Sequence, residues 1–167
     1  MKGTIVNWQI DNTYFKKIII LFWALWWLIA LWTDVVGGLA HIGWIHARWA
    51  PDTNYPFLVQ TLKMYPLPDW VPPFFFIGII LWSLLSAGLF CWASMGLHKE
   101  RELWMFRAQC AFIVSLTFWF VFFLADQITM KFDVEENHMV QGGFELLCYL
   151  ALYLLPETHV KDKRLHP

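Results

Sequence analysis

The sequence predicts an all-α fold, an integral membrane four-helix bundle with both termini cytoplasmic, and three observations carry that reading. Hydrophobic residues make up 59% of the 167, aromatic residues 19% and charged residues only 15%, whereas about a quarter of an average soluble domain is charged. Four apolar runs each approach the ~20 residues that a helix needs to cross a bilayer. Lys and Arg are segregated among the connecting segments, nine on one side of the spans and three on the other, and the richer side is cytoplasmic by the positive-inside rule.

The first span is expected over about 16–38, opening after Lys16-Lys17 and fraying near Gly37-Gly38, with room for a short continuation to His41. Its apolar stretch Ile18 to Leu31 has the look of a signal-peptide core. Three further runs follow it and need a partner helix, so it reads as a retained span. Residues 46–70, with Pro51, Pro56, Pro66 and Pro68, form a structured outer loop in which Tyr55, Phe57, Leu58, Leu62 and Tyr65 suggest a short interfacial helix. The second span is expected over 72–95, opened by Pro72 and stopped by Gly96. The third should cover 103–125 and the fourth 134–155, with Pro156 ending it and the tail Lys161 to Arg164 left in solvent. The whole chain is one transmembrane domain, 1–167, in a bacterial inner membrane or a eukaryotic endomembrane.

Several functions are excluded by composition. Net charge is −1 and no basic block appears, so nucleic acid is not a partner. No phosphate-binding glycine loop, nucleophile elbow or internal repeat is present, and no cofactor is called for. Cys91, Cys110 and Cys148 all lie inside apolar runs. That placement rules out a disulfide-generating enzyme, which needs paired cysteines in its outer loops, and makes them small packing residues.

The chemistry-bearing residues gather where the first and fourth spans meet the outer surface. Asp34 and His41 are seven residues apart on one, His138 and Glu145 seven apart on the other. Seven residues is two turns, about 10.5 Å, so each pair shares a helix face. If the two spans are antiparallel neighbours, Asp34 and Glu145 form a deep rung and His41 and His138 a shallow one, with Gln141 between them and Asp126 close to the shallow rung. Polar groups at such depth are costly unless paired, and mark candidate functional sites. Three readings compete: helix caps and ion pairs, a polar pocket for a small or lipid-like ligand, and a metal site on His41, His138 and Asp126. The histidine spacing fits no compact metal motif.

An acid closing the first span (Leu31-Trp32-Thr33-Asp34), Tyr55-Pro56 and Tyr65 in the long loop, Pro68 and Trp70 before Phe74 and Phe76, and Asp126 closing the third span together resemble the EXPERA membrane proteins, the group of emopamil-binding sterol isomerases and sigma-2-type receptors. The resemblance implies a hydrophobic cavity open to lipid with Asp34 as its polar anchor. Where that family has an acid early in the second span, this chain has Gly78. The expected function is therefore binding of a membrane lipid or hydrophobic small molecule by Asp34, His41, Asp126, His138, Gln141 and Glu145, without catalysis. The alternatives are an accessory subunit packed against a membrane-protein partner, and a sterol-like or terpenoid isomerase using Asp34 and Glu145 as proton donor and acceptor.

Overall fold

A computed structural model describes residues 12–46, 48 and 53–157, and among them every regular element is helical. The tail Lys161 to Arg164 and part of the long loop 46–70, Pro51 and Asp52 included, lie outside the described residues. Five helices follow in order: α1 (Thr13–His41), α2 (Asn54–Leu62), α3 (Val71–Met95), α4 (Arg101–Thr129) and α5 (Phe132–Leu154).

Three of these, α1, α3 and α4, are long and apolar enough to cross a membrane. Between 28% and 39% of each apolar stretch is buried inside the protein, so most of each faces outward and suits lipid around it rather than water. Phe15, Leu25, Ile29, Phe74, Leu81, Leu84, Phe120 and Leu124 are among those outward residues. The fourth long helix, α5, falls short of the same standard because its first half carries Glu135, Glu136, His138 and Gln141 and its middle carries Glu145.

Both glycines at the expected end of the first span lie inside α1, which continues to His41. The reason is packing. A side chain at Gly38 would fall 3.0 Å from the Phe76 ring, so Gly38 lets α3 approach α1 closely. Pro72 and Pro73 open α3 in its first turn, where the missing N–H groups cost nothing. At the other end of α4, Met130 takes a left-handed conformation (φ 50°) and Lys131 N–H donates to the Asp126 carbonyl. This reversal starts α5 at once.

α1 packs along α3, α3 along α4 and α4 along α5, while the backbones of α1 and α5 approach at few points. Between α3 and α4 the Phe90 and Phe112 rings meet edge-on at 5.0 Å, and Trp82 stands 5.8 Å from Phe118 and donates its indole N–H to the Val114 carbonyl at 3.0 Å. The α1–α5 seam is aromatic too. Trp23 and Phe22 meet Phe144, with ring centroids 5.8 and 6.0 Å apart, and Trp26 reaches Trp119 of α4 at 5.7 Å.

At one end of the bundle a charged clasp ties three helices. Lys16 is 1% exposed, and its ammonium lies 2.6 Å from a Glu157 carboxylate oxygen; Arg101 donates to the other oxygen. Asn12 adds a hydrogen bond of 2.8 Å to the Pro156 carbonyl. Burial pushes the Glu157 carboxyl up, but the hydrogen bonds and charges of Arg101 and Lys16 outweigh it and hold the group below its ordinary 4.5. A lowered carboxylate pKa stabilises the fold above the unfolded value, and that contribution disappears as pH falls through the folded one. Glu157→Gln should therefore cost on the order of 3 kcal/mol at pH 7, since it strands a buried lysine. The gap from wild type should narrow as pH falls below the ordinary 4.5 and close once the folded carboxyl is protonated. Thermal unfolding in detergent across that range checks this; a gap independent of pH would contradict it.

Candidate functional site

The helices enclose a cavity of about 390 Å³ at the end of the bundle opposite the clasp. α1 gives it Trp26, Trp27, Ala30 and Asp34, and α3 gives Phe75, Phe76, Ile79 and Ser83. α4 contributes Phe118, Trp119, Phe122 and Asp126, and α5 contributes His138 and Gln141. α2 forms the roof. Its lining residues Asn54, Phe57, Leu58, Thr61 and Leu62 are spaced as one helical face.

Asp34 is 7% exposed. One of its oxygens accepts a hydrogen bond from the Asn54 side-chain amide (2.7 Å) and the other from the Ser83 hydroxyl (3.2 Å), so α1, α2 and α3 converge on a single carboxylate. Across the cavity Asp126 lies 2.6 Å from Nδ1 of His138. The short α4–α5 reversal sets up this pair, with Asp126 in the last turn of α4 and His138 in the second turn of α5. The His138 ring stands edge-on to Phe122, centroids 4.7 Å apart.

Glu145 is fully buried and sits behind the cavity wall. Its carboxylate accepts hydrogen bonds from the indole N–H of Trp119 (2.6 Å), from the indole N–H of Trp27 (3.5 Å) and from the Ser115 hydroxyl. Two tryptophans thus face the cavity with their rings while their N–H groups hold Glu145. This arrangement corrects the expected deep rung. Asp34 and Glu145 have separate sets of donors, because the indoles of α1 fill the seam in which the two acids would otherwise meet.

The shallow rung is also corrected. His41 is exposed and meets Tyr55 edge-on (4.4 Å), and Tyr55 in turn meets Phe76 (5.2 Å). His138 pairs with Asp126 instead, and Gln141 lines the cavity while donating to Asn137 (3.0 Å). Among the described residues no group of three or more His, Cys, Asp or Glu side chains is placed to hold a metal ion. The metal reading of His41, His138 and Asp126 therefore lacks its ligand set. Cys91, Cys110 and Cys148 are free thiols.

Compared with protein-family models, curated proteins and solved structures, the chain matches none.

Sequence reasoning missed Ser83, Ser115 and Asn54 as partners of the two acids, and Trp27 and Trp119 as donors. Two signals were available. Ser83 and Ser115 are hydroxyls inside apolar runs, and a buried carboxylate needs donors such as the Ser, Thr and Trp side chains of an apolar helix.

Gly142 is what lets Trp119 lie against α5. A Cβ there would fall 2.9 Å from the Trp119 Cβ, whereas one at the neighbouring Gly143 would meet nothing within 4 Å. Gly142→Ala should therefore destabilise by about 1–3 kcal/mol through overpacking. Gly143→Ala should be neutral or stabilise by up to about 1 kcal/mol through helix propensity. Unfolding of the two variants in detergent checks the contrast, and equal stabilities would show that Trp119 is not seated there.

Proposed function

We propose that this chain is a four-span integral membrane protein, with both termini cytoplasmic and α5 as the fourth span, whose cavity holds a hydrophobic or lipid-like ligand at the outer end of the bundle. The observation that carries the reading is an apolar cavity of about 390 Å³ with Asp34 and the Asp126–His138 pair among its lining residues. Small-molecule sites occupy roughly 300–1,000 Å³ and combine apolar walls with a few convergent polar groups. The low hydropathy of α5 fits a fourth span, since Glu145 and His138 turn inward to partners and leave residues such as Leu147, Leu150 and Leu154 outside. Membership of the EXPERA group belongs to the same proposal, and what supports it is an apolar cavity that Asp34 lines. The isomerase mechanism that pairs Asp34 with Glu145 is not carried forward, as each acid is engaged by its own donors.

Extraction of the purified protein and mass spectrometry of the organic phase should recover close to one hydrophobic molecule per chain. Ala30→Phe, which places a ring in the cavity, should lose it. An empty wild-type protein, or equal retention by the variant, would sink the reading. Reporter domains that work only outside the cytoplasm should be active when fused after Leu67 and after Met130 and silent at the C-terminus; an active C-terminal fusion would reverse or break the span assignment.

A further inference from the structure

The roof of the cavity carries a polar group with nothing to bond. Thr61 is 9% exposed and lines the cavity, and its hydroxyl is buried without a hydrogen-bond partner. Helical threonines ordinarily return such a hydroxyl to a carbonyl one turn back, as Thr117 and Thr129 do here. Thr61 does not, and a buried hydroxyl left unbonded is destabilising unless something else satisfies it. It lies seven residues after Asn54, on the same face of α2.

Both ends of α2 are fixed. Asn54 donates to Asp34 at 2.7 Å, and beyond the C-terminal end the Tyr65 hydroxyl donates to the Ile128 carbonyl at 2.7 Å. The helix is thus a strap running from α1 to the far end of α4. It holds Thr61 two turns, or about 10.5 Å, along the α2 axis from Asn54, the residue bonded to the Asp34 carboxylate. Between the two polar positions the strap presents only Phe57 and Leu58 to the cavity.

We propose that Thr61 is a second polar subsite, and that the ligand is an apolar molecule with two oxygen or nitrogen functions about 10 Å apart, a hydrogen-bond donor for Asp34 and a second polar group for Thr61. The proposal rests on the cavity binding a hydrophobic ligand. It adds what that ligand must carry at each end.

The test uses 1,7-heptanediol, whose extended oxygens lie at the proposed spacing, and 1-heptanol with the purified protein in one detergent, read by the saturable change in intrinsic emission of the tryptophans, of which Trp26, Trp27 and Trp119 line the cavity. The ratio of the two affinities is compared between wild type and Thr61→Val, so that partition into micelles cancels. The diol's advantage should fall between about three- and tenfold in the variant, as expected for one neutral hydrogen bond, with 1-heptanol unchanged and the advantage restored in Thr61→Ser. An unchanged ratio overturns the second subsite while leaving the cavity reading intact. No saturable response to either alcohol overturns both. The ligand-free Thr61→Val protein should melt no lower than wild type, since it loses only an unbonded hydroxyl; a marked drop would show that Thr61 is bonded within the protein and would also overturn the proposal.

Discussion

The Glu145 carboxylate is the constraint on which the rest of the bundle depends. It is fully buried, and the hydrogen bonds that replace its water come from two indole N–H groups and one hydroxyl, on α1 and α4. A buried carboxylate stripped of donors costs several kcal/mol, so these bonds are demanding in geometry as well as stabilising. Three helices must keep their register for Trp27, Trp119 and Ser115 to reach the same group. The sparse α1–α5 contact is one result, since the indoles that serve Glu145 also hold those two backbones apart.

The cavity follows from the same arrangement. Protein interiors are close-packed, and a void of this size persists only where rigid side chains prevent collapse. Trp27 and Trp119 are pinned from behind through their N–H groups, and Gly142 removes the one side chain that would push Trp119 aside. α2 then closes the top, tied to Asp34 at one end and to the Ile128 carbonyl at the other. The polar groups are distributed with the same economy. Asp34 takes its donors from α2 and α3, and Asp126 takes His138 from α5, so neither acid is left for the other to satisfy.

Much of the fold was legible in composition. Apolar length placed the long helices, the aromatic and leucine residues of the loop 46–70 placed the roof helix, and the cost of polar groups at depth singled out Asp34, Asp126, His138 and Gln141, all of which line the cavity. The pairing of those groups was not legible. Matching residues by depth treats helices as smooth rods in contact, and three tryptophans on one face of α1 make that helix too broad for Asp34 to reach α5. The partner of His41 was not legible for a related reason: α1 reaches His41 as a helix, but the ring there meets Tyr55 of α2 rather than His138 of α5. The Lys16–Glu157 pair was not legible either, because its two residues are 141 apart in sequence, a distance over which charge pattern alone says nothing.

The measurement that bears most directly on this account is the coupling between Glu145 and Trp119. Trp119→Phe keeps the ring against Gly142 and deletes the N–H, Glu145→Gln keeps the shape and removes the charge, and unfolding of wild type, both single variants and the double variant in detergent gives the interaction term. A charge-assisted hydrogen bond in a buried setting should appear as a coupling of about 1.5–3 kcal/mol. A coupling indistinguishable from zero would contradict the account, because Glu145 would then not be held by the indole that walls the cavity.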